Sequence, residues 1–347
     1  MDTPEFKLTQ IELKLISEID EFKGRWQAMT SLAPEQLIAL RKVATMESIA
    51  SSTRIEGVKL SDREVEELLS GLRIKSLQSR DEEEVAGYAE CMDLIFQSYT
   101  DIPFDENHIK QLHQVLLKYS SKDSRHRGEY KKLNNHVEAF DQTGKSAGVV
   151  FETASPFDTP LKMADLMDWF SREWRDRPSH PLLVIAVFTV HFLAVHPFQD
   201  GNGRLSRILT TLLLMKAGYG YVPYSSLERI IEENKEQYYL TLRRTQKTIY
   251  SDNSTIMEWT LFFLRSLRKQ ISGLEKKIER ESRLTQLTPL SQALLAAARE
   301  RGTLTVRQAV QMTGGNRNTI KQNVRQLTQQ GLLRREGTGK GSWYRPA

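Results

Sequence analysis

The groups this chain could use for chemistry crowd into one string, His196-Pro197-Phe198-Gln199-Asp200-Gly201-Asn202-Gly203-Arg204-Leu205-Ser206-Arg207. It follows an apolar run over 181–195 and opens a second helical pattern over 205–215, which predicts helix, polar loop, helix. Gly201 and Gly203 let backbone N–H groups approach an anion closely, at a helix N-terminus whose dipole already favours negative charge. A phosphate site is the direct inference. Arg204 and Arg207, three apart, are expected on one helical face, where two guanidinium forks can hold neighbouring phosphates. Asp200, just outside the cradle, is placed to hold Mg²⁺ against the same phosphates. His196 ends the preceding helix beside the cradle, where an imidazole can take a proton from an attacking hydroxyl near neutral pH. Pro197 helps to stop that helix, and Phe198 is expected to pack inward as the loop's anchor.

A connecting loop with Gly for turns and Arg for solubility would account for a lone Asp-Gly-Asn-Gly, but not for the full string. The string resembles the signature of the Fic family, H-x-F-x-[DE]-G-N-G-R-x-x-R, with every specified position filled. At usages near one in twenty, a chance match is roughly one in 10¹⁰ per window. The resemblance runs over the body of the chain: the apolar helix before the loop, a hairpin flap upstream and the Tyr238-Tyr239 segment downstream.

That resemblance implies a mainly α fold, a Fic-type helical bundle with a β-hairpin flap. It implies a nucleotidyltransferase that moves AMP from MgATP to a Ser, Thr or Tyr hydroxyl of a protein, the chain itself included. In it His196 would be the general base and Asp200 the Mg²⁺ ligand. Gly201, Asn202 and Gly203 would form the anion cradle, with Arg204 and Arg207 on the distal phosphates so that the α-phosphorus faces the hydroxyl. A flap over 146–156, at Val149, Val150 and Phe151, would pair with an extended target segment by strand addition. Tyr238, Tyr239 and Gln246 would form the adenine-side wall, although the family often has Asn where Gln246 aligns. A kinase branch carries Lys at the position of Gly203. Its absence points to AMP transfer, while a phosphocholine-transferring branch stays open.

Upstream, Ser52-Thr53-Arg54-Ile55-Glu56-Gly57 matches the pattern [ST]-x-x-x-[ED]-[GN] of self-inhibited Fic proteins. Alone it reads as a helix end with Gly57 as the stop. Beside a Fic loop it implies an N-terminal inhibitory helix over 45–57, whose Glu56 carboxylate pairs fork to fork with Arg207 and occupies the group needed for the γ-phosphate. Ser52, one turn before Glu56, is expected to orient that helix by a hydrogen bond.

Other constellations fail. Gly144-Lys145-Ser146 lacks the glycine that a nucleotide-binding Walker loop needs at 139, where Ala stands. His191 and His196 are five apart, one too many for two ligands stacked on a helix, so zinc is not expected. His108, His113, His126, His136 and His180 read as ordinary surface or core residues. The lone Cys91 excludes an intrachain disulfide and fits a reducing, cytoplasmic setting. The acidic start Met1-Asp2-Thr3-Pro4-Glu5 is unlike a secretory signal, and the run over 181–195 is too short to cross a membrane.

Positioning these groups requires a helical scaffold, and the composition supports one. With 347 residues, 39% hydrophobic and 27% charged, the chain can bury a core and form more than one unit. Apolar positions recur at helical spacing, as in Val65, Leu68, Leu69, Leu72 and Ile109, Leu112, Leu116. In the body, strand signals are confined to Gly148-Val149-Val150-Phe151, between Asp141-Gln142-Thr143-Gly144 and Ser155-Pro156, which reads as a hairpin. The expected order is an N-terminal helical region over 1–100, a catalytic core over 101–265, a linker helix over 266–287 and a C-terminal unit over 288–347.

The linker helix is marked by Leu267, Ile271, Leu274 and Ile278 on one face, and Thr288-Pro289 starts the last unit. Residues 280–347 carry twelve Lys/Arg against three acids, a net of +9, so that of the chain's +5 the remainder holds −4. The predicted helices there, over 290–299, 306–312 and 317–330, with a closing glycine-rich hairpin, resemble a winged helix-turn-helix. Its third helix would offer Arg317, Asn318, Lys321 and Arg325 to a DNA major groove, with Arg334, Arg335 and Lys340 on the wing. Winged helices also serve as protein-interaction or dimer modules, which leaves a homodimer open.

Two classes therefore compete: an autoinhibited protein adenylyltransferase with ATP and Mg²⁺, and a DNA-binding regulator whose body senses nucleotide. An intact His196 favours the enzyme, since sensing needs no general base. Removal of AMP by the same site is chemically adjacent and stays open.

Overall fold

The computed structural model describes residues 6–29, 33–71, 77–140, 146–251, 254–285 and 287–346, and gives only the backbone of 136–140, 146–152, 281–285 and 340. The fold is mainly α-helical. It divides into two compact units, Met1–Leu274 and Glu275–Ala347.

The first unit is built around α7 (Pro181–Val195), whose residues are apolar on every face. A helix with no polar stripe must be surrounded, and every side chain from Leu182 to Val195 is buried. Trp259 donates its indole N–H to the Ala186 carbonyl at 2.8 Å, which satisfies the ring nitrogen inside this core. Around α7 lie α6 (Thr159–Asp176), α8 (Asn202–Lys216) and α10 (Lys235–Thr248). Ahead of them run α1 (Gln10–Gln27), α2 (Pro34–Ile55), α3 (Asp62–Ser70), α4 (Arg80–Ser98) and α5 (Glu106–Leu116).

The starts of these helices are written locally. Thr9 and Ser61 form capping boxes with Glu12 and Glu64, and Ser79 and Asp105 accept from the N3 backbone N–H groups of α4 and α5. α2 begins at Pro34 and stops at Glu56-Gly57, where Gly57 takes φ +104. The short α9 (Leu227–Glu233) packs along α2.

Two sequence expectations are corrected here. The hairpin is formed by β1 (His136–Phe140) and β2 (Ser146–Glu152), antiparallel, with His136 opposite Glu152 and irregular register at two points. The region expected as the flap is thus largely its second strand. The first precedes Asp141 and was hidden because His136-Val137-Glu138-Ala139-Phe140 is short and mixes two strong strand formers, Val137 and Phe140, with Glu138 and Ala139, which are depleted in strands. The turn expected at Asp141-Gln142-Thr143-Gly144 lies outside the described residues. The helix expected from 266 begins at Ile256 as α11 (Ile256–Thr285), because Ile256, Trp259, Phe263 and Leu267 already hold the three-to-four spacing and are buried.

The second unit contains α12 (Pro289–Arg301), α13 (Val306–Thr313), α14 (Arg317–Gln329) and an antiparallel pair, β3 (Leu333–Glu336) with β4 (Trp343–Pro346). Its core is Leu294, Leu295, Ala298, Leu304, Ala309, Ile320, Val324, Leu327 and Leu333. Leu304 and Tyr344 exchange backbone hydrogen bonds at 2.7 and 2.8 Å, which ties the chain between α12 and α13 to β4. Gly314, at φ +63, makes the turn between α13 and α14. No helix among the described residues is long and apolar enough to cross a membrane.

Candidate active site

The polar loop between α7 and α8 is held closed by its own side chains. Asn202, the first residue of α8, accepts the Phe198 N–H through Oδ1 at 2.9 Å and donates to the Phe198 carbonyl through Nδ2 at 2.7 Å. Phe198 itself is fully buried. Its ring stacks on His113 with centroids 3.9 Å apart and planes 15° from parallel. His113 Nδ1 accepts the Gly128 N–H at 2.9 Å, so the ring's proton sits on Nε2 and is donated to the Asp200 carbonyl at 3.0 Å. Burial holds His113 near a pKa of about 4, hence neutral. Read in the sequence as an ordinary histidine, it is instead the buried post on which the loop rests.

His196 caps α7 in the left-handed region, φ 52 and ψ 60, with its N–H on the Phe192 carbonyl at 2.8 Å. A non-glycine residue held there is costly and needs an over-determined setting. Its Nδ1 lies 3.3 Å from the Leu193 carbonyl. A carbonyl can only accept, so Nδ1 carries the hydrogen and Nε2 keeps the lone pair. Burial, with help from the Lys131 ammonium, lowers its pKa to about 4, which keeps the imidazole neutral at pH 7.

Lys131 is a residue the sequence did not advertise. It is buried, and its Nζ donates to the Val195 carbonyl at 3.0 Å, to Asn135 Oδ1 at 2.9 Å and to Thr153 Oγ1 at 2.9 Å. A cation on the last carbonyls of α7 also suits the helix dipole. Asn135 Nδ2 in turn donates to the Phe198 carbonyl at 2.7 Å, so this cluster joins the base of the hairpin to the His196 end of the loop. Burial, then Lys162, brings Lys131 down to about 8. No periodicity or motif marks a lone lysine in a connecting segment, so only tertiary contacts reveal it.

Asp200 takes the Gly201 N–H on Oδ1 at 2.6 Å and Arg204 Nη2 at 3.3 Å, while Arg80 Nη2 approaches Oδ2 at 3.1 Å. Burial raises its pKa, but Arg204 and the Gly201 N–H more than offset that and leave it below the usual carboxylate value. Arg204 is buried and also pairs with Glu84 at 2.7 Å. Arg207 is engaged elsewhere: its Nε donates to Ser52 Oγ at 2.8 Å, and its Nη2 to the Ser52 carbonyl at 2.9 Å and to Glu56 Oε1 at 2.7 Å. The expected fork-to-fork geometry is therefore corrected. Glu56 receives one guanidinium nitrogen, because Ser52 takes the Nε edge and shares Nη2. The two arginines, three apart in α8, have separate partner sets rather than a common one.

Glu56 sits over Gly203, where a Cβ would collide with Oε1. Gly201, at φ +79, begins the cradle in a conformation that side chains rarely adopt. A cavity of about 300 Å³ is lined by Glu56, His196, Asp200, Gly201, Asn202, Gly203, Arg204, Tyr238, Tyr239 and Leu242, among others. The Tyr239 hydroxyl reaches the Ile55 carbonyl at 3.4 Å, touching the end of α2. Gln246, expected on the adenine side, does not line this cavity. It is buried on α10, and its amide has no hydrogen-bond partner among the described residues. Gln246 shares a helical face with Tyr239 and Leu242 but stands four residues beyond Leu242, roughly 6 Å farther along the axis and past the end of the cavity. The side chains of Val149, Val150 and Phe151 lie outside the described set, although the backbone of β2 runs beside α10.

No cluster of three or more His, Cys, Asp or Glu suited to a metal occurs among the described residues. The cleft instead offers single carboxylates beside backbone N–H groups, a donor set for a cation shared with phosphates. On α14, Arg317, Asn318, Lys321 and Arg325 are exposed, while Ile320, Val324 and Leu327 are buried.

Residues 103–214 match the Fic/DOC family. Curated relatives include the protein adenylyltransferase Fic of Drosophila grimshawi, 28% identical over 234 residues (67% of this chain, 44% of that protein). The protein adenylyltransferase fic-1 of Caenorhabditis briggsae is 27% identical over 195 residues, covering 54% and 34%. The chain thus spans less than half the length of these curated relatives. Among solved structures, a Fic domain containing signaling protein from Bacteroides thetaiotaomicron superposes with a TM-score of 0.58 at 26% identity, covering 74% of this chain and 97% of that one. A Fic family protein from Desulfovibrio desulfuricans shares the fold, with a TM-score of 0.61 at 22% identity over 100% and 98% of the two chains. Over residues 103–214, with every specified position of the signature loop in place, the chain is similar to proteins of the Fic/DOC family.

Proposed function

We propose that this chain is a protein adenylyltransferase, moving AMP from ATP to a hydroxyl side chain of a protein, and that Glu56 restrains it. The observation that carries the reading is His196. Its neutral ring keeps Nε2 as an acceptor, and the residue lines the same cavity as the Gly201–Gly203 backbone. A base of that kind abstracts the proton of the acceptor hydroxyl as the oxygen attacks the α-phosphorus, and pyrophosphate leaves. The N-terminus of α8 supplies N–H groups to the phosphate oxygens, and Tyr238 and Tyr239 supply apolar walls. Asp200, held ionised by Arg204, fits as the carboxylate ligand of Mg²⁺. When bound, the ion would neutralise charge on the phosphate oxygens.

The 2.7 Å contact from Glu56 to Arg207 supports the restraint. While Glu56 and Ser52 hold Arg207, that guanidinium cannot take the distal phosphate, and ATP binds out of line. The test is mass spectrometry with ATP and Mg²⁺ on the wild type, Glu56→Gly and Glu56→Gly/His196→Ala, with added lysate proteins as acceptors. An AMP-sized adduct on the chain or an acceptor should grow with Glu56→Gly and vanish without His196. Absence of any adduct in Glu56→Gly would sink the transferase reading.

For the second unit we infer a winged helix-turn-helix that binds DNA. The cationic face of α14 supports this: Arg317, Lys321 and Arg325 are exposed and form no ion pair among the described residues.

A further inference from the structure

Arg80 is a cation in an unusual place. It is the first residue of α4, where the helix dipole disfavours positive charge. The three acids that follow, Asp81, Glu82 and Glu83, obey that rule. Asp81 accepts the Lys59 N–H at 2.9 Å and Glu82 the Gln78 N–H at 2.6 Å. Arg80 instead turns toward the loop, with Nε 2.8 Å from Glu84 Oε1 and Nη2 3.1 Å from Asp200 Oδ2. Its partner lies 120 residues away in the chain.

Four charged groups thus form an alternating row, Arg80, Asp200, Arg204 and Glu84, in which two guanidiniums and two carboxylates cancel. The inference rests on the nucleotide site proposed above. A divalent cation on Asp200 would leave this row at +2 unless one guanidinium withdrew. Arg204 is poorly placed to leave, because it is 2% exposed and tied to Glu84 at 2.7 Å. Arg80 is 50% exposed and projects from the start of a helix, so water can receive it. The two also divide Asp200 between them: Arg204 and the Gly201 N–H take Oδ1, whereas Arg80 takes Oδ2, the oxygen with no other partner among the described residues.

We propose that Arg80 is a positioning residue that competes with the divalent cation for Oδ2 of Asp200, so that metal and nucleotide must displace it to load the site. Arg80 is not a catalytic residue; it sets how strongly the metal tightens nucleotide binding. This second restraint is separate from Glu56, which acts on Arg207.

The experiment measures equilibrium binding of a fluorescent ATP analogue to the full chain, with Mn²⁺ and with EDTA, for the wild type, Arg80→Gln and Arg80→Lys. Thermal midpoints of all three proteins check the fold. In Arg80→Gln the tightening caused by Mn²⁺ should exceed that in the wild type by about three- to fivefold, the scale of a half-exposed ion pair. Arg80→Lys keeps the charge and should stay near the wild type. Nucleotide bound with the same Mn²⁺ effect in Arg80→Gln and wild type would overturn the role of Arg80 and leave the nucleotide site standing. Nucleotide bound by none of the folded proteins would overturn both.

Discussion

Oε1 of Glu56 lies 2.7 Å from Nη2 of Arg207 and directly over the backbone of Gly203, so that one carboxylate both holds the arginine and closes the space above the cradle. The second part makes Gly203 a requirement of Glu56.

A methyl group at 203 must push that carboxylate aside. Gly203→Ala should therefore destabilise the wild type by about 1–2 kcal/mol through overpacking and loss of the Arg207 contact. Because Glu56 is the group it meets, the cost should largely disappear in Glu56→Gly. Urea unfolding of the four proteins gives the coupling; additive effects, within about 0.5 kcal/mol, would show that the two residues do not press on each other.

The end of α2 is pinned by more than Glu56. Arg54 holds Glu232 of α9 with Nε at 2.6 Å and Nη2 at 3.0 Å, and reaches Asp62 at 2.8 Å. Both partners of the fork are partly exposed, so their contribution is modest, about 1 kcal/mol. Arg54→Ala should loosen the helix end and raise AMP-adduct formation, by less than Glu56→Gly does. An adduct level equal to the wild type would place the restraint in Glu56 and Ser52 alone.

Two buried histidines make the fold sensitive to acid. His113 and His191 are each held near a pKa of about 4 by burial, against an ordinary value near 6.5. The unfolded chain then binds more protons than the folded one between these values. The stability they contribute is complete above about pH 6.5 and is lost as pH falls toward 4, at of order 1–3 kcal/mol per histidine. His191→Phe removes one such proton site and should flatten the fall of the thermal midpoint over that window. An unchanged slope would show that His191 does not stay neutral in the folded state.

On the second unit, Arg317→Ala or Lys321→Ala should weaken binding to duplex DNA and reduce the slope of log K against log salt by about 1 each. Binding that ignores salt, or no binding by the wild type at low salt, would remove DNA from the account and leave a protein partner for α14.

What the sequence alone determined is what lies close together along it. The helix starts were legible in Thr9, Ser61, Ser79 and Asp105, because a cap bonds within three residues. The buried helix α7 was legible in its long apolar run, and the gathering of His196, Asp200, Gly201 and Gly203 at one cavity in the single string that carries them. The flap's first strand was not, since a five-residue alternation carries little signal until a partner strand pairs with it. Tertiary structure alone decided the contacts between distant groups. Asp200 meets His113 across 87 residues and Arg80 across 120, and Lys131 meets Val195 across 64. It also gave Glu56 one nitrogen of Arg207 rather than a fork, because Ser52 competes for the same guanidinium. Periodicity says which face of a helix is buried, but not which other face it meets. The hydrogen-bond partners of a buried charge follow from that meeting.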